Sequence, residues 1–257
     1  MTQRRILQLT KPTDRALLLS KSKSVDLMRE KVTLRNTITD LTDTLYEAVP
    51  RDHPKGAGLS AVQIGQPTQV FLMHYYIDPS TAPITKAYIN PILEFDDDVK
   101  VDHDWMGCFS NDFLRVRVER PSKVHVTAHV LEIDSSPTLE SIGLDSIKKS
   151  TETFSGPNAY AVQHEFDHLQ GITVLNYVRK QSLQLFLDNN GQLPDSYPDD
   201  YNVFSVHDAY MEQGRVSDAN KMGKSPDLKP EERAAIHSLL EVPTRSQNIV
   251  QRRRLEY

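Results

Sequence analysis

The run His164-Glu165-Phe166-Asp167-His168 constrains this chain more tightly than any other stretch of it. Residues 159–169 read as a helix that begins just after Gly156-Pro157-Asn158, with Asn158 as its N-cap. On a helix the two histidines lie one turn apart on the same face, so their ring nitrogens can reach one ion together. Glu165 then sits beside the open position of that ion, placed to take a proton from water that the ion activates. The competing reading is a surface helix with two incidental histidines. Nor does the pattern choose among hydrolases, because many zinc proteases share it. The third ligand makes that choice.

The chain contains one cysteine, Cys108. It cannot form an intramolecular disulfide, which excludes the stapled class of secreted domains and points to a reducing, cytoplasmic setting. A lone cysteine is ordinarily a small buried hydrophobe; if Cys108 has a chemical role, it acts as a thiolate. Arg4 and Arg5 are not followed by the apolar core of a secretory leader. No stretch approaches the roughly 20 apolar residues of a membrane span, and the longest apolar runs, such as residues 70–73, are strand-sized. With 257 residues, 38% of them hydrophobic and 25% charged, the chain can bury one sizeable core. The net charge of −5 is interspersed, and no extended footprint for nucleic acid is evident. The dense basic run Arg252-Arg253-Arg254 reads as a solvated tail.

Along the chain, residues 6–20 are mixed, with Pro12 and Asp14 interrupting any regular pattern. Over residues 27–49, Leu34, Ile38, Leu41, Leu45 and Val49 recur at three- and four-residue steps, the stripe of an amphipathic N-terminal helix that stops at Pro50. A glycine-rich segment over residues 56–65 leads into strands at 70–77 and 87–93, the second ended by Asp96-Asp97-Asp98. Residues 114–118 and 124–133 alternate as half-buried strands do. The polar stretch 134–158 reads as a long hairpin or surface excursion. Beyond about residue 180 the composition becomes that of loops, with a short helix expected at 230–241 behind Pro230. The division is a catalytic core over residues 1–180 and an appended extension over 181–257.

Three segments in order carry a resemblance: Gly56-Ala57-Gly58-Leu59-Ser60-Ala61-Val62-Gln63, then Gly107-Cys108-Phe109-Ser110, then Gln163-His164-Glu165-Phe166-Asp167-His168-Leu169 running on to Gly171. With Asn90-Pro91, Arg115 and Arg120 as shorter echoes, the chain resembles peptide deformylase over roughly residues 6–180. The resemblance implies an α+β fold in which antiparallel sheets pack around a central helix carrying the histidine motif. It implies one divalent metal ion on Cys108, His164 and His168, typically iron(II), with zinc, nickel or cobalt able to take the same place. Glu165 is then the general base and acid, and Gln63 and the backbone N–H of Phe109 stabilise the oxyanion. Gly56, Ala57, Gly58, Met106, Gly107, Arg115 and Tyr160 are expected around a peptide bound by strand addition. The reaction implied is removal of the N-formyl group from the N-terminal methionine of new peptides, with release of formate. The partners are an N-formyl peptide and the ribosome that presents it.

The match departs from the family in particular places. Met106 stands where glutamate is usual, Phe109 where leucine is, and Ser60 where alanine is. Tyr160 replaces an aliphatic residue, and Trp105 precedes the cysteine segment. The extension exceeds the family's short C-terminal helix, and its slightly acidic balance shows no basic helix for ribosomal RNA. Other readings stay open: a divergent deformylase or amidase acting on another formylated or small amide, and a homologue that keeps the metal without catalysis. Glu165 and Gln63 argue against the second, since a structural metal needs neither.

Overall fold

A computed structural model describes residues 3–49, 57–78, 80–133, 144–174, 184–187 and 204–205, with 103–105, 112–117, 184–187 and 204–205 given by their backbone path. Along these residues run the helices α1 (Pro12–Leu18), α2 (Lys31–Ala48) and α3 (Pro157–Leu169). The strands are β1 (Ala57–Ser60), β2 (Val70–Tyr75), β3 (Ile84–Glu94), β4 (Val101–Cys108), β5 (Asn111–Pro121), β6 (Lys123–Ile133), β7 (Lys148–Ser155), β8 (Gln184–Leu187) and β9 (Phe204–Ser205). One antiparallel sheet has the order β1-β2-β3-β6-β7 and a second has the order β4-β5-β8-β9.

The apolar run at the start of β2 is explained by what covers it. Successive side chains of a strand point to opposite faces, and all six residues of β2 are buried. Val70 and Leu72 pack with Leu34, Ile38, Leu41 and Leu45 of α2. Phe71, Met73 and Tyr75 pack with Ala159, Val162, Phe166 and Leu169 of α3. The larger sheet is thus sandwiched between two helices. The apolar stripe of α3 faces that sheet, so the rest of its circumference turns toward β5. There Gln163 Nε2 donates to the carbonyl of Pro121 at 2.8 Å, and Asp167 pairs with Arg120. The motif helix is held between the two sheets, as expected.

Several local expectations change. Pro12 and Asp14 open α1 rather than break it, because a proline in the first turn lacks only an N–H that would be unpaired there. The Asp14 carboxylate also accepts the backbone N–H of Gln8 at 2.9 Å. Asn158 does not cap α3. Gly156 holds that place with φ of +57°, Pro157 follows, and the Asn158 amide donates to the Tyr76 carbonyl at 3.2 Å. The polar stretch after residue 134 contains β7 at the sheet edge, while residues 134–143 lie outside the described residues. β4, over residues to which the sequence reading assigned no element, pairs with β5 along its length.

The Asn90-Pro91 pair sits at a bulge in β3. Asn90 has φ of +50°, a left-handed conformation that asparagine tolerates, and its amide brackets Val25 through two hydrogen bonds of 2.8 and 2.9 Å. In the extension, β8 pairs with β5 and β9 with β8. The expected helix at 230–241, Arg252-Arg253-Arg254 and Gly56 fall outside the described residues. Among the described residues no helix is long and apolar enough to cross a membrane.

Candidate metal centre

Cys108 closes β4, and His164 and His168 project from consecutive turns of α3. The Nε2 atoms of the two histidines lie 3.2 Å apart, and Cys108 Sγ lies 3.3 Å from His168 Nε2. One ligand atom from each of the three residues lies within 4.8 Å of the others, and all three side chains are buried. Two imidazole nitrogens bound to one tetrahedral zinc ion stand about 3.3 Å apart, and a thiolate and a nitrogen about 3.5 Å apart. The spacing of this donor set therefore suits one ion of that size. Burial, more than the neighbouring charges of His168 and Arg120, pushes the His164 imidazole well below its ordinary range. Burial and then Arg120 push His168 down to about 3. Both rings are held neutral, the form that donates a lone pair to a metal. Among the described residues their buried Nδ1 atoms find no hydrogen-bond partner, and the rings brace each other edge to face at 4.6 Å between centroids.

Glu165 enters from the same helix and is 3% exposed. Ser60 Oγ lies 2.7 Å from Glu165 Oε2 and 2.8 Å from the Glu165 backbone carbonyl. Burial raises this carboxyl to about 8, against the Ser60 hydrogen bond and the charge of Arg120, which lower it. A group so placed binds a proton at neutral pH far more readily than an exposed carboxylate does.

Gln63 lies in the short helical turn Ala61–Ile64 after β1. Its orientation follows from its partners. The backbone N–H of Ser60 donates to Oε1 at 2.8 Å, which turns the Nε2 donors toward Ser110 Oγ at 3.2 Å and Cys108 Sγ at 3.7 Å. The N-terminal segment straps this arrangement, with Leu7 N donating to the Gln63 carbonyl and Leu9 N to that of Ser110. The Phe109 carbonyl accepts from Gln8 Nε2 at 2.9 Å.

Behind the histidines lies a buried charged pair. Arg120, 3% exposed, donates to Asp167 Oδ2 at 2.8 Å and, through Nε, to Met106 Sδ at 3.2 Å. The thioether of Met106 therefore touches this pair.

The comparisons with known proteins follow this geometry. The Polypeptide deformylase family profile matches residues 4–184. The chain belongs to the peptide deformylase family. A peptide deformylase of Aquifex aeolicus is 31% identical over 179 residues, covering 69% of this chain and 90% of that one. Another, of Caulobacter vibrioides, is 30% identical over 182 residues, covering 70% and 90%. The crystal structure of a peptide deformylase from Legionella pneumophila superposes with a TM-score of 0.51 at 27% identity, covering 68% of this chain and 85% of its own.

Within this deformylase fold the residues expected around a substrate separate. Gly58 and Ser60 face Glu165, whereas Ala57 points with Leu59 to the opposite side of β1 and packs against the α2 core. The Phe109 ring joins that same core. Alternation along β1, and the turn after Cys108, send both side chains to the α2 side. Gly107 is exposed in β4, Tyr160 is 7% exposed one turn before His164, and the backbone of Arg115 pairs with Phe186 in the second sheet. Ser110, Arg120 and Asp167 were not assigned roles from sequence. Asp167 lay inside the motif, and a charge on the buried flank of a helix was the available signal.

Proposed function

We propose that this deformylase-family chain is a metal-dependent amide hydrolase that removes the N-formyl group from the N-terminal methionine of newly made peptides, releasing formate. The observation that carries the reading is the buried Cys108, His164 and His168 donor set with Glu165 on the same helix. Cys108, His164 and His168 would hold the ion, with iron(II) as the resident metal and zinc, nickel or cobalt as substitutes. Bound there, a divalent cation supplies Lewis acidity to the formyl carbonyl and to the attacking water.

The chain's own residues do the rest. Glu165 takes the proton of the attacking water and returns it to the leaving amine, a double use that suits a carboxyl raised to about 8. The Gln63 amide, fixed by Ser60 N–H, and the Phe109 N–H offer hydrogen bonds to the oxygen that gains charge, an arrangement contributing roughly 3–4 kcal/mol per donor. Met106 and Tyr160, both nearly buried, border the first substrate side chain. The substrate is the formylated end of a chain leaving the ribosome, in the cytoplasm.

Glu165→Ala tests the chemistry apart from the metal. The variant should keep its ion and lose roughly 10²–10⁴-fold in formate release. Near-normal turnover in a metal-replete variant excludes Glu165 as the proton carrier.

A further inference from the structure

Gly58 and Ser60 are alternate residues on one face of β1, and together they form the seat of the Glu165 side chain. At Gly58 the seat is empty space: a Cβ there would stand 2.6 Å from Glu165 Cγ. At Ser60 it is a hydroxyl, itself fully buried, 2.7 Å from Oε2. Among the described residues, Ser60 is the one hydrogen-bond partner of this carboxyl group. Oε1 makes no such bond there and is left for other work.

We propose that Ser60 is the positioning residue of the active site, holding Glu165 by one carboxyl oxygen so that the other is presented to the reaction. The proposal rests on the hydrolase reading of the site.

The argument is geometric. A glutamate side chain has three rotatable bonds, and a carboxyl held at neither oxygen can turn about all of them. One hydroxyl within reach of both Oε2 and the Glu165 carbonyl holds the group whichever partner owns the proton. With Glu165 ionised, Ser60 O–H donates to Oε2. With the proton on Oε2, that O–H donates to Ser60 Oγ, and the serine proton turns to the Glu165 carbonyl 2.8 Å away. No heavy atom needs to move for the hydrogen bonds to reverse; the hydroxyl proton turns. Through its backbone the same residue fixes Gln63, since Ser60 N–H donates to Gln63 Oε1 at 2.8 Å. One strand residue thereby sets the register between the proton carrier and the amide donor.

The test uses Ser60→Ala in the full chain, loaded with zinc. Alanine removes the hydroxyl while keeping the β1 backbone and its bond to Gln63. Two measurements are needed: kcat and KM for a formyl-Met tripeptide, and the crystal structure of the variant at the Glu165 side chain. We expect kcat to fall roughly tenfold, the value of one hydrogen bond to a charged group, with KM and metal content unchanged and Glu165 spread over more than one conformer. Unchanged kcat, or a Glu165 that keeps its single conformer, overturns the proposal. Ser60→Thr, which restores the hydroxyl, should recover turnover; a threonine variant with the wild-type Glu165 conformer and alanine-like kcat also counts against it. If the wild-type protein releases no formate, the hydrolase reading fails by itself, and the conformer comparison decides the role of Ser60 alone.

Discussion

The side chain of Glu165 lies where a β-carbon on Gly58 would have to go, its Cγ and Oε1 each 2.6 Å from that position. Real Cβ contacts are not that short, so an added methyl must displace the carboxyl. The fold can absorb this by rotating one side chain, but the site cannot, because misplacing a reacting group by about 1 Å costs roughly 10²-fold in rate. Gly58→Ala should therefore unfold close to the wild-type temperature and retain metal, yet lose about two orders of magnitude in kcat. Full activity in that variant shows that the position of Glu165 is not limiting.

The three donors of the metal centre are unequal. On the proposed reading Cys108 would bring a full negative charge as thiolate when an ion is bound, whereas both histidines are held neutral by burial. Cys108→Ser replaces that anion with a neutral hydroxyl and should strip most of the ion during dialysis. Elemental analysis of the purified variant reads this directly. Near-stoichiometric metal means that Cys108 is not a ligand.

Asp167 and Arg120 hold α3 against the second sheet with both side chains almost wholly buried. Asp167→Ala removes the carboxylate facing a buried guanidinium and should destabilise the protein by roughly 3–5 kcal/mol. Replacing both partners with apolar residues should recover much of the loss, because no charge is then left inside. Thermal or urea unfolding of the single and double variants distinguishes the two, and equal losses contradict the ion-pair account.

The fold was legible where sequence periodicity reflects burial. The stripe over residues 27–49 predicted α2, which begins at Lys31 and buries one face, and the spacing of the histidines predicted α3, whose apolar residues meet the larger sheet. β4 was not read from sequence, and β7 was read only as part of a hairpin or surface excursion, for the converse reason. β7 is an edge strand with Phe154 as its one buried side chain, so its sequence is polar and leaves a hairpin and a surface excursion equally open. α1 was missed because proline and aspartate were read as breakers, when in a first turn they are starters. At the site, the residues Cys108, His164 and His168 that the fold brings together were visible in motifs, but the partner of Glu165 was not. Ser60 lies 105 residues away, and only the folding of β1 beneath α3 brings the two together.

Asp14 gives the N-terminal strap a defined response to acid. The Arg5 guanidinium first, and the Gln8 N–H after it, hold this carboxyl well below the ordinary carboxylate range. A lowered pKa in the folded state means that its stabilisation is complete above the unfolded value of about 3.9 and is lost as pH falls from there toward the folded value. Asp14→Asn should be less stable than the wild type at pH 6, with the gap closing as pH drops below about 4. Urea midpoints at the two ends of that range measure it. A gap that stays constant or widens in acid contradicts the assignment.

The central claim is that this chain cleaves a formyl amide and needs a metal ion to do so. The direct measurement is formate release from a formyl-Met tripeptide by protein stripped with a chelator and then reloaded with iron(II) in the absence of oxygen. The account predicts no release from the stripped protein and, after reloading, one formate for each new amino terminus. A folded, fully reloaded protein that releases no formate, or a stripped protein that releases it at the full rate, contradicts the account.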